Sequence, residues 1–209
     1  MMLLKNNDIV LFQGDSVTDA GRIKEKPDDL GMGYPYFVAS WFAALHPELK
    51  VKFINRGVSG DRVRDLKKRW VEDCLNLKPT VLSILIGIND TWRRYDSNDP
   101  TSPEKFEEDY RYILQQVKEN LDAKIILCEP FVMSEPPDRR EWRVDLDPKI
   151  HVVRKLAKEF GTYYIPFDGI MAQAAILRDP LFWTQDGVHP TGEGHALMAK
   201  EWIKTVEAL

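Results

Sequence analysis

Apolar and polar positions fall into blocks along the chain. Four strand-length apolar runs, Ile9 to Phe12, Val51 to Ile54, Val81 to Ile86 and Lys124 to Leu127, are separated by segments of helical length, and a weaker fifth run covers Tyr163 to Phe167. Phe106, Tyr110, Ile113, Leu114, Val117 and Leu121 form a stripe of helical period. Thr101-Ser102-Pro103-Glu104 opens that helix with hydroxyl caps, a first-turn proline and a carboxylate at the positive helix end. A second stripe, Ile150, Val153, Leu156, Ala157 and Phe160, stops at Gly161, and it places His151 at a helix start. A last helix carries Leu197, Met198, Trp202, Ile203 and Val206 after a cap at Thr191. Strands alternating with helices imply parallel strands joined by right-handed crossovers, with helices on both faces. The expectation is one three-layer α/β/α domain over residues 1–209 with about five strands. Asn98 to Ser102 and Ser134 to Pro137 read as surface loops.

Composition narrows the function classes. Of 209 residues, 44% are hydrophobic and 30% charged, as in ordinary globular chains, and the net charge of -4 gives no footing for nucleic acid or a membrane surface. Lys67-Lys68-Arg69 reads as one solvated helix face. Met1 to Asp8 holds one lysine and no long apolar stretch, so neither a signal peptide nor a membrane span is expected, and the simplest location is the cytoplasm. Cys74 and Cys128 sit in apolar patterns and read as buried thiols.

In open α/β sheets ligands gather beyond the carboxyl ends of the strands. The residues that follow the apolar runs are polar and glycine-rich: Gly14-Asp15-Ser16 after the first, Gly57-Val58-Ser59-Gly60-Asp61 after the second and Gly87-Ile88-Asn89-Asp90 after the third. Asp186-Gly187-Val188-His189-Pro190 precedes the last helix. Two readings are open for Ser16: a cap for the next helix, or a nucleophile whose proton a base accepts. His189 is the only one of four histidines in a loop with a carboxylate near it. His46, His151 and His195 lie in helical or helix-end contexts and read as surface or packing residues. Asp186 could orient the His189 ring, and the Ser16 N–H, Gly60 N–H and Asn89 amide could hold an oxyanion. Asp15 and Asp19 read as fixing the turn around Ser16, Arg62 and Arg64 as supporting residues, and Arg93 as the partner of Asp96. Trp92 and Trp183, close in sequence to these positions, could present flat faces to a sugar ring or acyl chain, or could simply pack. No Gly-x-Ser-x-Gly elbow, dinucleotide fingerprint, phosphate loop or metal-ligand spacing competes.

Taken together, Gly14-Asp15-Ser16, Gly60, Gly87-Ile88-Asn89-Asp90 and Asp186-x-x-His189 resemble the SGNH (GDSL-type) hydrolase family. Its blocks occur here in the family's order, with Val17 where leucine is usual. The resemblance implies a flavodoxin-like sheet of order 2-1-3-4-5 and a metal-free, cofactor-free acyl-enzyme mechanism. In it Ser16, Asp186 and His189 form the triad, and Ser16, Gly60 and Asn89 form the oxyanion hole. Gly57 to Leu66, Gly87 to Asp96 and Phe182 to Gln185 are similar to intracellular acetylxylan esterases and sugar deacetylases. That implies a small-molecule or oligosaccharide ester as substrate and, as in some relatives, a homo-oligomer. A lysophospholipase, thioesterase or general short-chain esterase on the same site, and a flavodoxin-like binding module without catalysis, remain the alternatives.

Overall fold

A computed structural model describes residues 2–207. Five parallel strands, β1 (Ile9–Gly14), β2 (Lys52–Asn55), β3 (Val81–Leu85), β4 (Lys124–Cys128) and β5 (Tyr163–Ile165), form one sheet of order β2-β1-β3-β4-β5. The expected five-stranded order is thus observed. The fifth strand is shorter than the apolar run, because Pro166 ends it and Phe167 begins the next helix.

Register sets the level of the rim. Gly14 lies opposite Leu85, and Leu85 opposite Cys128, so β1, β3 and β4 finish side by side. β2 ends earlier, with Asn55 opposite Phe12, but its continuation keeps hydrogen-bonding along β1. The Arg56 N–H donates to the Phe12 carbonyl and the Val58 N–H to the Gly14 carbonyl. Four chain segments therefore emerge at one height.

Alternation along each strand divides the core in two. On one face Val10, Phe12, Val81, Leu85 and Ile126 pack with Tyr34, Val38 and Phe42 of α2 (Tyr34–Leu45) and Met198 and Trp202 of α9 (Gly192–Glu207). On the other, Leu11, Leu82, Ile84, Ile125 and Leu127 pack with α3 (Val63–Asp73), α5 (Pro103–Asn120) and α6 (Arg143–Phe160). The stripe from Phe106 to Val117 is the buried face of α5, and the Ser102 hydroxyl caps it by accepting from the Lys105 N–H. Both cysteines are buried and free. The remaining helices are α1 (Ser16–Asp19), α4 (Ile88–Asp96), α7 (Phe167–Leu177) and α8 (Pro180–Trp183). Among the described residues, no helix is long and apolar enough to cross a membrane.

Some expectations need correction. α6 begins at Arg143, two turns before the stripe from Ile150, so His151 lies in mid-helix. Pro148 is carried inside α6 at the loss of one backbone bond, to the Val144 carbonyl. The Lys67-Lys68-Arg69 run is not one solvated face. Lys68 is exposed, but Lys67 pairs with the buried Asp109 and Arg69 turns under the sheet rim to Asp61 and Asp73. Ser134 to Pro137 does lie at the surface, with Ser134 and Pro137 exposed, and it leads into a 3-10 turn (Pro137–Arg140) from which Arg139 reaches the Asp186 carbonyl.

Trp202 is fully buried between β1 and β3 on one side of the sheet, and its indole N–H donates to the Ser83 hydroxyl at 3.1 Å. Trp202→Ala removes that volume and the donor together. It is expected to lower the unfolding free energy by about 3–5 kcal/mol, read from urea unfolding of the two proteins side by side.

Candidate active site

β1 ends in the tight Gly14-Asp15-Ser16 turn. Asp15 occupies the cap position of α1, its Oδ1 accepting from the Val17 N–H at 3.0 Å. The cap role that the sequence left open for Ser16 therefore belongs to Asp15. The Ser16 hydroxyl instead lies 2.9 Å from His189 Nε2. On the other side of that ring, Nδ1 is 2.8 Å from Asp186 Oδ2. A carboxylate can only accept, so Nδ1 carries the proton and Nε2 of the neutral ring is left to accept from the serine. Asp186 Oδ1 accepts from the N–H groups of Val188 (3.0 Å) and His189 (2.8 Å), which fixes the carboxylate at the head of the turn.

These contacts set the protonation states. Burial by itself would raise the Asp186 carboxyl, but the His189 ring and the two backbone N–H groups outweigh it and hold the group down to about 2. The hydrogen bond that its Nδ1–H donates to Asp186 raises His189 above its ordinary value against the opposing effect of burial. Asp15, fully buried beside Ser16, is pushed up to about 7 by desolvation, partly offset by the Val17 N–H and by His189.

Gly60 lies on the turn after β2 with φ of +87°, a left-handed backbone that glycine adopts freely, and no side-chain crowding explains its identity. Among the described residues, no acceptor within the protein engages the N–H of Ser16 or of Gly60. Asn89, buried in the first turn of α4, donates one amide hydrogen to the Asp61 carbonyl at 3.1 Å, which leaves the other hydrogen uncommitted. Ser16, Gly60 and Asn89 come from the ends of β1, β2 and β3, and shared strand register brings those ends to one rim.

Ser16 and His189 open into a groove of about 610 Å³, lined also by Met32, Ser59, Gln185 and His195. The structure separates the two tryptophans. Trp92 stands with its ring 5.6 Å from that of His189 and packs against Trp142 at 5.0 Å. Trp183 turns away from the groove, donating its indole N–H to the Ala174 carbonyl at 3.0 Å and lining a separate depression with Ile170, Leu177 and Leu197. Arg93 pairs with Asp96, and Arg62 and Arg64 both pair with Asp99.

Several groove residues escaped the sequence reading. His195 is a packing residue, as expected, since its Nδ1 accepts from the Tyr34 N–H at 3.1 Å and burial lowers its pKa to about 4. It nonetheless also lines the groove. Met32, Ser59 and Gln185 carried no pattern of their own, although Ser59 and Gln185 adjoin residues that did.

Similarity to known proteins agrees with the geometry. Residues 12–197 match the GDSL-like lipase/acylhydrolase family. The chain is 32% identical to an acetylxylan esterase of Geobacillus stearothermophilus, over 98% of this chain and 96% of that protein. The crystal structure of that enzyme, Axe2, superposes with a TM-score of 0.88 at 32% identity, covering 98% of this chain and 96% of the other. A GDSL-like lipase from Parabacteroides merdae superposes with a TM-score of 0.93 at 35% identity over the whole of both chains. The solved structures of Axe2 include catalytic mutants in which a serine, a histidine or an aspartate is replaced by alanine. With this sheet and this match along most of its length, the chain belongs to the GDSL-like lipase/acylhydrolase family and is a carboxylic ester hydrolase.

Proposed function

We propose that the protein removes acetyl groups from acetylated carbohydrate, such as xylo-oligosaccharides, by a two-step reaction on Ser16. The observation that carries this reading is the relay of 2.9 Å from Ser16 Oγ to His189 Nε2 and 2.8 Å from Nδ1 to Asp186. In the first step Nε2 takes the hydroxyl proton as Oγ attacks the ester carbonyl. The negative charge that develops on the carbonyl oxygen is met by the N–H groups of Ser16 and Gly60 and the free amide hydrogen of Asn89. The imidazolium then protonates the departing sugar oxygen and an acetyl-enzyme remains. In the second step His189 deprotonates a water, which attacks the acetyl carbon. Asp186 stays ionised throughout, holding the ring's tautomer and stabilising its cation. The acetyl and carbohydrate assignments are supported by similarity to an acetylxylan esterase along nearly the whole chain. A groove with Ser59, Gln185 and His195 beside the serine also suits a hydroxyl-rich acceptor.

Acetate release should be fast from acetylated xylo-oligosaccharides and should fall steeply for aryl esters as the acyl chain lengthens. Preferential cleavage of long acyl chains or of thioesters would instead select a lysophospholipase or thioesterase on the same residues. Ser16→Ala is expected to lower kcat by about 10⁴-fold or more and to abolish labelling by a fluorophosphonate, with the melting temperature little changed. Retained turnover in that variant would remove Ser16 from the reaction.

The pH dependence follows from His189. The ring must be neutral to accept the serine proton, and Asp186 raises its pKa above 6.5. Activity should therefore be full above that raised value and decline as pH falls through it. Asp186→Asn removes the raising interaction, so the acidic limb of kcat/KM should move to lower pH while kcat drops by roughly 10⁴-fold. Stopped assays with a short-chain aryl ester between pH 5 and 9 would read both effects.

A further inference from the structure

The turn that carries Asp186 and His189 is held from outside by residues that the reaction does not consume. Arg139, at the end of the 3-10 turn after β4, donates its Nε–H to the Asp186 carbonyl at 3.0 Å. Its guanidinium carbon lies 4.1 Å from the centre of the Trp142 ring and 5.1 Å from that of Trp92, the ring that stands beside His189. Tyr95 stacks on Trp142 with ring centres 5.3 Å apart and planes 10° from parallel, extending the wall. Only 12% of the Arg139 side chain is exposed, and its outer nitrogen pairs with Asp138. The backbone takes part as well, since the Met133 N–H donates to the Gly187 carbonyl at 2.8 Å. Gly187 has φ of +86°, and a Cβ there would press on the Glu135 carbonyl and on Arg139 Cγ. The glycine between Asp186 and His189 is thus the residue that lets the arginine stem lie across the turn.

We propose that Arg139 is a positioning residue, holding the Asp186–His189 pair in register with Ser16 through the Asp186 carbonyl and the Trp92–Trp142 wall; this rests on the reading of Ser16 and His189 given above. A proton transfer over 2.9 Å depends on where the ring sits, and displacement of such a group by about 1 Å costs roughly 10²-fold in rate. The turn is closed by its own hydrogen bonds, from the Gln185 N–H to the His189 carbonyl and from the Gly187 N–H to the Thr184 hydroxyl, but its seat relative to Ser16 is set by what is packed against it. A buried guanidinium with its fork engaged between a carbonyl, a carboxylate and two indole faces is a stiff support.

The same placement has an electrostatic consequence. His189 is faced by Asp186 from its own turn, by Asp15 from the start of α1, by His195 from α9 and by Arg139 from the segment after β4, while Trp92 of α4 brings no charge. Asp186 and Asp15 raise the His189 pKa and the Arg139 cation lowers it. Loss of that cation should therefore leave the ring protonated to a higher pH, whereas a purely structural arginine would leave the titration where it was.

Arg139→Met keeps a long stem between the tryptophans but removes the donor and the charge. Arg139→Lys keeps the charge without the planar fork. In Arg139→Met, kcat for a short-chain aryl ester should fall by roughly 10²-fold with KM changed little, fluorophosphonate labelling of Ser16 should slow in parallel, and the acidic limb of kcat/KM should move up by about half a pH unit. Arg139→Lys should keep the wild-type limb and recover only part of kcat. If either variant loses melting temperature but keeps its rate per labelled serine, and Arg139→Met keeps the wild-type limb, the positioning role is overturned. Failure of the underlying reading has a different signature: wild-type protein would resist the fluorophosphonate, or Ser16→Ala would stay active.

Discussion

The turn after β2 is fastened to the turn after β1, and the rest of the site depends on that fastening. Asp19, at the end of α1, accepts with one carboxylate oxygen from both the N–H (3.0 Å) and the hydroxyl (2.7 Å) of Ser59, and with the other from the Arg22 N–H (3.2 Å). Gly60, next along the chain, is thereby held at a fixed distance from the helix that begins with Ser16. Arg69 of α3 makes the same join from beneath. Its guanidinium donates to Asp61 (2.8 Å), to the Gln13 side chain (3.0 Å) and to Asp73 (3.0 Å). Strand pairing brings the ends of β1 and β2 to one level, but it cannot specify the orientation of the Gly60 N–H, which lies beyond the last bond to β1 at Val58. Charged hydrogen bonds to the two turns can, because each is directional and partly screened from water.

The rim is consequently rich in buried charge, which is costly unless it is paired. Asp90, in the first turn of α4 beside Asn89, accepts from the Val63 N–H at 3.1 Å and so ties α4 to the start of α3. Burial raises its carboxyl to about 7, moderated by that N–H and by the Lys149 cation. Lys149 is itself entirely buried in α6, where it pairs with Asp145 and contacts the Thr91 hydroxyl. The consequence is mechanical: α3, α4 and α6 are joined by polar contacts directly below the strand ends, so Asn89 stands on a support that apolar packing alone would leave freer to slide.

Much of this architecture was legible in the sequence, and the parts that were not share a cause. The five apolar runs read as strands because buried parallel strands need apolar residues on both faces. The α5 stripe read as a helix because its outer face is charged. By contrast α7 (Phe167–Leu177) was missed, since exposed Ile176 and Leu177 blur the distinction between its faces. The first turns of α6 were hidden by an exposed Val144 and by Pro148. Ser16, Gly60, Asn89, Asp186 and His189 could be picked out because each sits in a short local block at a strand end or before a helix. Arg139 and Arg69 could not, because they act on the site from other elements, and nothing in their own neighbourhoods distinguishes them from surface arginines. For Trp183, nearness to Asp186 in sequence left a groove face and simple packing both open, and α8 turns its indole against α7.

The groove and the support behind His189 follow from this division of labour. Behind the His189 ring, Trp92, Trp142 and Arg139 pack against one another and against the Asp186–His189 turn, so any change there reaches that ring. On the other side stand Ala20, Gly21, Met32 and Gly192, small residues apart from a methionine that is 76% exposed. The backbone of Ala20 and Met32 is tied to the nucleophile turn, since the Ala20 N–H donates to the Ser16 carbonyl and the Met32 N–H to the Ala20 carbonyl, both at 2.9 Å, and only the methionine side chain stands clear. The apolar core fixes where the strands end, and the polar joins fix the Gly60 N–H, the Asn89 amide and the His189 ring. The exposed Met32 side chain is the part of the groove lining that can change without disturbing either.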